Sequence, residues 1–182
     1  QINEELKSIV SDKAKFFSYL GCAQNELFIE KIFKQHSIDR VFHCAAYKHV
    51  PIVESNPIEG IYNNIKTTSV LTKISSKTGV KKFILVSSDK AVRPTNIMGA
   101  SKRICELITY YYAKNINSNS TNSETKFSIV RFGNVLESSG SVVPLFKKQI
   151  KQGGPITVTD RKVIRYFMTL SEASQLVIQA AT

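Results

Sequence analysis

Three side chains that can exchange protons stand in a row at the end of an apolar run. Ser88, Asp89 and Lys90 follow the run that spans residues 83–86. A short apolar run of this kind is typical of a buried parallel strand, and open α/β sheets place their ligands at the carboxyl ends of such strands. We therefore interpret the three side chains as part of a catalytic centre at the edge of a sheet.

A second pair of candidate residues follows at helical spacing. Pro94 breaks the chain after the strand, and a helix is predicted to begin near Ile97. Met98 and Lys102 are four residues apart, so they would share one face of this helix. A lysine facing an acid and an amine completes the outline of a catalytic centre, although a tyrosine is expected where Met98 stands.

The elements that must position these residues alternate along the chain. Helices are predicted where apolar residues recur at helical spacing or where a cap is present: over 25–33, 57–78, 97–112 and 142–151, with a last helix capped at 171–173. Asn25 is expected to cap the first of these helices, and Pro57 and Gly79 to mark the two ends of the second. Strands are predicted at short apolar or alternating runs: over 40–46, 83–86, 126–132 and 156–159. This order predicts an α/β fold, a Rossmann-like parallel sheet with helices on both faces.

Glycine spacing predicts that one part of such a fold is absent. None of the eight glycines forms the G-x-G-x-x-G turn that meets a dinucleotide pyrophosphate. We expect the fold to lack its first strand, glycine-rich turn and helix, and the sequence to be an internal piece of a longer protein. Residues 1–132 would form a partial dinucleotide-binding domain, and residues 133–182 a substrate-binding segment intertwined with it.

Composition excludes several classes of protein. The chain has 182 residues, enough for one domain with a sizeable core, and its apolar runs are much shorter than the roughly 18 residues of a membrane span. Three widely spaced cysteines predict reduced thiols and no metal cluster. The net charge of +11 would suit nucleic acid or an anionic ligand, but the basic residues are scattered and no aromatic-plus-basic motif accompanies them. We therefore expect no nucleic-acid partner.

A loop rich in serine and glycine precedes the predicted helix over 142–151. Residues 138–141 read Ser-Ser-Gly-Ser. Such a loop presents free backbone N–H groups and the positive end of a helix dipole, which suit a phosphate group. Loops of the same composition also serve as plain connectors, so the pattern alone leaves both interpretations open.

Five ordered segments together resemble one protein family. They span residues 45–51, 88–103, 130–136, 140–146 and 165–169. They are similar to the UDP-N-acetylglucosamine 4,6-dehydratases of bacterial polysaccharide biosynthesis, which are extended short-chain dehydrogenase/reductases, and most of all to the large membrane-anchored subgroup. The resemblance covers nearly the whole chain from about Val41 onward. It implies NADP (or NAD) as cofactor and a UDP-N-acetylhexosamine as substrate, converted to a 4-keto-6-deoxy sugar.

The resemblance assigns the catalytic roles. Asp89 would be the acid that protonates the leaving C6 hydroxyl, Lys90 the base at C5, and Ser88 a hydrogen-bond donor to the C4 oxygen. Lys90 can act as a base only as a neutral amine, a form favoured by burial and neighbouring cations. Lys102 would hold the nicotinamide ribose. Met98 replaces the usual tyrosine, as in the large subgroup, so Asp89 or an ordered water would take the C4 hydroxyl proton.

The resemblance also assigns the binding residues. Ala45, Ala46 and Tyr47 would line the cofactor, supported by Asn64. Lys48 would bind the substrate. Its UDP diphosphate would be held by Asn134, Arg165 and the helix start formed by Ser141, Val142, Val143 and Pro144. We further expect a homo-oligomer in the cytoplasm, either free or as the cytoplasmic domain of an inner-membrane protein whose membrane segment lies outside this chain.

The sequence departs from the family pattern near its start. The family usually has Gly-Asp-Val-Arg-Asp where residues 21–25 read Gly-Cys-Ala-Gln-Asn. The missing aspartate normally binds the adenine amino group, so this stretch alone should bind NADP poorly. Two alternatives to the dehydratase therefore stay open. One is a UDP-sugar 4-epimerase, which needs no acid–base pair for C5 and C6, and the other is a non-catalytic remnant.

Overall fold

The computed structural model describes residues 2–10, 14–115, 125–136, 138, 142–158 and 160–182. Its helices are α1 (Ile2–Ile9), α2 (Glu26–His36), α3 (Val50–Ser55), α4 (Pro57–Thr78), α5 (Ile97–Asn115), α6 (Val142–Lys151) and α7 (Leu170–Gln179). Its strands are β1 (Arg40–His43), β2 (Lys82–Ser88), β3 (Lys126–Phe132), β4 (Asn134–Val135) and β5 (Phe167–Met168). A 3₁₀ turn, Asp89–Ala91, directly follows β2.

The strands form two parallel sheets. The larger has the order β1-β2-β3, and its register places Phe83 of β2 between Val41 and Phe127. The smaller pairs Asn134 of β4 with Phe167 of β5. The predicted α/β class with parallel strands is confirmed. Parallel neighbours need long crossovers, which here are α3 with α4 between β1 and β2, and α5 between β2 and β3.

Helices cover both faces of the larger sheet, as predicted. Phe83 and Leu85 of β2 point into a core shared with α2, α4 and α5. Ile84, between them in the sequence, points to the opposite face and packs with Val130 and the end of α7. All three β2 side chains have no exposed surface, and burying each contributes about 2 kcal/mol. A strand buried on both faces is the reason its sequence is a continuous apolar run.

Helix ends follow the predicted capping chemistry in several places. Asn25 caps α2 by accepting a hydrogen bond from the backbone N–H of Phe28. Pro57 opens α4, where its fixed φ suits a first helical residue. Gly79 ends the same helix with a φ of 73°, a conformation that glycine adopts without steric cost. In the described ranges, no helix is both long and apolar enough to cross a membrane.

Three predicted elements differ from the structure. The strand predicted over 156–159 is wrong for residues 156–158, which have no regular structure, while Thr159 lies outside the described residues. The strand predicted over 40–46 ends at His43 because β1 has only four residues paired with β2. The last helix is capped by Thr169, two residues before the predicted cap. The Thr169 side chain accepts a hydrogen bond from the backbone N–H of Glu172, and the Glu172 side chain accepts one from the backbone N–H of Thr169.

Candidate functional site

The carboxyl ends of all three strands of the larger sheet open onto one cavity of about 500 Å³. Ala46 follows β1, Ser88 ends β2, and Phe132 ends β3, and all three line the cavity. Parallel strands necessarily bring their carboxyl ends to one edge, where ligands of open α/β sheets bind. The cavity therefore lies where the sequence predicted the catalytic centre.

Ser88, Asp89 and Lys90 form a hydrogen-bonded cluster at the tip of β2. The Ser88 hydroxyl donates to Asp89 Oδ1 at 3.0 Å, and Lys90 Nζ donates to the same oxygen at 3.0 Å. Ser88 Oγ also accepts from the backbone N–H of Lys90 at 3.2 Å, which caps the 3₁₀ turn. Ser88 and Lys90 line the cavity. The turn thus places an acid and an amine in contact, with Lys90 on the cavity wall and Asp89 outside the set of residues that line the cavity.

The surroundings of Asp89 favour its carboxylate form. Partial burial opposes ionisation, but hydrogen bonds from Lys90 and Ser88 outweigh it, so the pKa of Asp89 lies below its usual value of 3.8. At neutral pH Asp89 is therefore ionised in the absence of substrate. A carboxylate in this state can accept a proton before it donates one.

Met98 and Lys102 of α5 face the same cavity, as their spacing predicted. Both line it, with 4% and 7% of their surfaces exposed. Lys102 Nζ donates to the backbone carbonyl of Val86 on β2 at 3.0 Å. Burial lowers the pKa of Lys102 from its usual 10.5, and the nearby Cys105, Cys44 and Glu106 partly oppose the shift. Lys102 is thus an anchored amine at the floor of the cavity.

A glycine lets α5 approach the catalytic turn closely. A Cβ atom on Gly99 would lie 2.3 Å from the carbonyl oxygen of Lys90, a distance that no side chain tolerates. The helix start is held by Asn96, whose side chain accepts from the Gly99 N–H at 2.8 Å, and by Glu54, which accepts from Ile97 N at 2.6 Å. Gly99 therefore sets the distance between Met98 and Lys90.

Asn64 fixes the loop that follows β1. This side chain of α4, 1% exposed, accepts from the backbone N–H of Tyr47 at 2.7 Å and donates to its carbonyl at 3.1 Å. It also donates to Ser101 of α5 at 3.0 Å. Ala46 lines the cavity, whereas Ala45 lines a separate depression beside β1 and the Tyr47 side chain is half exposed. The Asn64 side chain thus holds the backbone of Tyr47, in the loop that is predicted to line the cofactor.

The predicted substrate-binding residues divide into three groups. Lys48, Asn134, Val142 and Arg165 line the cavity, and Lys48 and Arg165 are exposed cations at its mouth. Val143 and Pro144 follow Val142 on α6 and are not among the described residues that line the cavity. Ser141 lies outside the described residues.

Sequence reasoning missed a buried carboxylate behind the site. Glu106 of α5 is 2% exposed and accepts hydrogen bonds from Ser87 of β2 at 2.7 Å, from Arg103 at 2.9 Å and from Arg131 of β3 at 2.7 and 2.6 Å. These bonds outweigh the opposing effect of burial and lower the pKa of Glu106. The available signal was Glu106 one helical turn after Lys102, with Arg131 between the apolar Val130 and Phe132 of a predicted strand.

A buried histidine closes β1. His43 Nε2 lies 2.9 Å from Thr68 Oγ1 of α4, while His43 Nδ1 has no hydrogen-bond partner among the described residues. Burial, with a smaller effect of Lys102, lowers the pKa of His43 to about 4. His43 is therefore neutral at physiological pH and belongs to the core.

Fold and site together define a class of protein. A parallel sheet with helices on both faces and a cavity at the carboxyl ends of its strands is the Rossmann-like nucleotide-binding architecture. The whole chain, residues 1–182, matches the family described as polysaccharide biosynthesis protein, and the chain belongs to that family. The resemblance stated from the motifs is confirmed at this level.

Two relatives illustrate the range of the family. The capsular polysaccharide biosynthesis protein CapD of Staphylococcus aureus is 45% identical over 179 residues, which are 98% of this chain and 29% of CapD. A UDP-glucose 4-epimerase of Rickettsia canadensis is 37% identical over 97% of this chain and 50% of the epimerase. The chain thus spans about a third of the first relative and half of the second.

Solved structures share the fold. The structure of Pen from Bacillus thuringiensis is 39% identical, with a TM-score of 0.87 over 98% of this chain and 52% of Pen. A dTDP-glucose 4,6-dehydratase from Streptomyces venezuelae, solved with NAD bound, has a TM-score of 0.81 over 99% of this chain and 59% of the dehydratase. At 17% identity, this second likeness concerns the fold alone.

Proposed function

We propose that the residues at this cavity form the catalytic part of a nucleotide-sugar 4,6-dehydratase. The substrate is a UDP-linked N-acetylhexosamine, and the product is the corresponding 4-keto-6-deoxy sugar. The observation that carries the proposal is the hydrogen-bonded cluster of Ser88, Asp89 and Lys90, of which Ser88 and Lys90 line the cavity together with buried Met98. Dehydration requires protons to move at C4, C5 and C6 on one face of the sugar, and this cluster supplies the groups.

Asp89 would handle the protons of two hydroxyl groups. Methionine cannot take up a proton, so Met98 does not replace the usual tyrosine as a base. Asp89, ionised before the reaction, takes the proton of the C4 hydroxyl as the C4 ketone forms, while Ser88 donates a hydrogen bond to the C4 oxygen. Asp89 then gives the proton to the C6 hydroxyl, which leaves as water. Asp89 therefore ends the cycle as it began it.

Lys90 would move the proton at C5. The new ketone at C4 makes the C5 hydrogen acidic, and Lys90, which lies 3.0 Å from Asp89, removes it as the base while the C6 hydroxyl leaves. Lys90 returns a proton to C5 at the end, so the net change is the loss of one water.

The residues present fit the nicotinamide end of a dinucleotide. Lys102 is buried beside Met98 and anchored to the sheet, and the small side chain of Ala46 leaves room at the end of β1. A bound NADP or NAD would accept hydride from C4 and return it to C6. Lys102 would hold the nicotinamide ribose, and the shared fold with an NAD-bound dehydratase supports this cofactor class.

The cations at the cavity mouth suit the diphosphate of the substrate. Lys48, which follows β1, and Arg165, which precedes β5, both line the cavity. Val142 at the start of α6 brings a helix N-terminus to the same cavity. A guanidinium and a helix dipole together favour a diphosphate.

The wider organisation is part of the proposal. We assign residues 1–132 to the dinucleotide-binding part and residues 133–182 to the substrate-binding part, in keeping with the separate β4–β5 pair. The homo-oligomer and the cytoplasmic location expected from the resemblance stay predictions.

A UDP-sugar 4-epimerase is the second candidate, and the 37% identical relative of that name favours it. The two reactions part after the C4 ketone forms. An epimerase returns hydride to C4 and has no use for an acid and a base at C6 and C5. The hydrogen-bonded pair of Asp89 and Lys90 therefore favours the dehydratase.

The product at C6 distinguishes the candidates. The full-length protein is incubated with UDP-N-acetylglucosamine and NADP, and the sugar is followed by NMR. The dehydratase predicts that the C6 hydroxymethyl signal is replaced by a methyl signal. A change of configuration at C4 with C6 intact would establish the epimerase, and an unchanged sugar with bound NADP would indicate a non-catalytic protein.

A further inference from the structure

Lys90 is held by a second residue that comes from a different element. Its Nζ donates to Asn134 Oδ1 of β4 at 3.2 Å, as well as to Asp89 Oδ1 at 3.0 Å. In both bonds the Lys90 amine is the donor, and the acceptors are the Asn134 amide oxygen and the Asp89 carboxylate. The amine at the tip of β2 therefore lies between a carboxylate of its own turn and a neutral acceptor of the smaller sheet.

The position of Asn134 is set independently of Lys90. Its backbone N–H donates to the carbonyl of Tyr166 at 3.1 Å, and β4 pairs it with Phe167 of β5. Gly133 makes this close contact possible, because a Cβ atom there would lie 2.8 Å from the Tyr166 carbonyl oxygen. The amide oxygen is thus presented by a rigid backbone pair, next to the segment that carries Arg165.

We propose that Asn134 is a positioning residue for Lys90, an inference that rests on the proposed dehydratase function. A lysine amine sits at the end of a flexible four-carbon stem, and one acceptor leaves it free to swing. Two acceptors on separate elements fix its place in the cavity. Asn134 does this without adding a second negative charge beside an amine that must act as a base.

This role differs from the one that the resemblance implied. There Asn134 would hold the substrate diphosphate, for which its amide would have to donate. Asp89 is in contact with Lys90, and the cations Lys48, Lys102 and Arg165 line the same cavity. Lys48 and Arg165 are the candidates for binding the diphosphate, which leaves the Asn134 oxygen free to accept from Lys90.

The test compares proton removal at C5 with nucleotide binding in the full-length protein. Asn134→Leu keeps the shape of the side chain but removes the acceptor. Turnover is measured with UDP-N-acetylglucosamine carrying hydrogen or deuterium at C5, and UDP affinity by calorimetry. We expect kcat to fall about 10- to 100-fold, as misplacement of a catalytic group by about 1 Å can cost 10²-fold. The C5 isotope effect should rise and UDP affinity should stay unchanged.

The outcomes separate this inference from the proposed function. Weaker UDP binding with an unchanged isotope effect would make Asn134 a diphosphate ligand, and wild-type kcat in the variant would remove it from the site; either result overturns the positioning role. A wild-type protein that forms no C6 methyl group overturns the dehydratase and this role with it. Asn134→Ser shortens the side chain, so that its oxygen lies too far from Lys90 to accept the hydrogen bond. This variant is measured in parallel in case the leucine variant fails to fold.

Discussion

At the scale of single residues, Asp89 carries the largest chemical demand. It lies within hydrogen-bond distance of both Ser88 and Lys90, and those bonds keep its carboxyl group ionised. An acid that starts as a carboxylate must first receive a proton, and the C4 hydroxyl is the group that has one to lose. We therefore expect Asp89, with its lowered pKa, to take the C4 proton that a tyrosine at the position of Met98 would otherwise take.

Replacing Asp89 by asparagine should remove catalysis and leave binding intact. Asn keeps the size of the side chain and can still accept from Lys90, but it cannot carry a proton. We expect Asp89→Asn to lower kcat by about 10²- to 10⁴-fold, the usual contribution of general acid–base catalysis. Asp39→Asn, at an exposed aspartate paired with Lys81, is the matched control and should keep wild-type kcat. Steady-state kinetics with calorimetry of UDP binding measures both, and an active Asp89→Asn protein would contradict the assignment.

His43 should make stability depend on pH. Its folded-state pKa is about 4 against 6.5 for the free side chain, so the unfolded chain binds more protons between these values. The folded state is therefore favoured as pH rises from 4 to 6.5, and the stability present at neutral pH is lost as pH falls through this window. The linkage is worth about 3 kcal/mol at most.

His43→Asn isolates this contribution, because asparagine can still pair with Thr68 and does not titrate. Urea unfolding of both proteins at pH 7 and pH 4.5 should show a smaller loss of stability on acidification for the variant. Equal losses would mean that other groups account for the pH dependence.

At the scale of elements, Glu106 joins α5 to the two strands that carry the site. It accepts from Ser87 of β2 and from Arg131 of β3, while Lys102, one turn earlier on the same helix, binds the Val86 carbonyl. The helix that presents Met98 is therefore attached to the sheet by these three polar contacts. Ser87 neighbours Ser88, so a shift of this attachment would move the catalytic turn.

Glu106→Gln should destabilise the protein substantially. The glutamine amide keeps one acceptor oxygen but lacks the buried negative charge to which Ser87, Arg103 and Arg131 donate hydrogen bonds. We expect a loss of about 2–4 kcal/mol, in the range for breaking a buried charged network. Glu26→Gln is the control, because that carboxylate pairs with Lys73 at the surface and should contribute less than about 1 kcal/mol. Thermal unfolding compares the two, and equal small effects would contradict the role of Glu106.

At the scale of the whole molecule, the site has its catalytic groups without the turn that usually binds the dinucleotide pyrophosphate. The chain spans 29% of CapD, and none of its glycines forms G-x-G-x-x-G. We expect the 182-residue chain alone to bind NADP at least about 10-fold more weakly than full-length CapD, equivalent to about 1.4 kcal/mol. Calorimetric titration of both proteins measures this, and equal affinities would show that the present residues suffice.

The sequence by itself determined the local structure and which residues are the candidates for catalysis. Asn25, Pro57 and Gly79 marked helix ends because capping depends on neighbouring residues, and the apolar run of β2 marked a buried strand because both of its faces are covered. The row from Ser88 to Lys90, and Met98 with Lys102, could be placed at one edge of a sheet because parallel strands end together.

Only the tertiary structure decided which distant groups touch. The bond between Lys90 and Asn134 joins residues 44 positions apart, and the bond between Glu106 and Arg131 joins residues 25 apart. Local patterns carry no information on such pairs, because they depend on how elements pack. The same reason explains the wrong strand over 156–159, whose alternation is real but finds no neighbouring strand among the described residues. The residue types in the sequence determine which chemical groups are present at this site, and the packing of the elements determines which distant residues hold those groups in place.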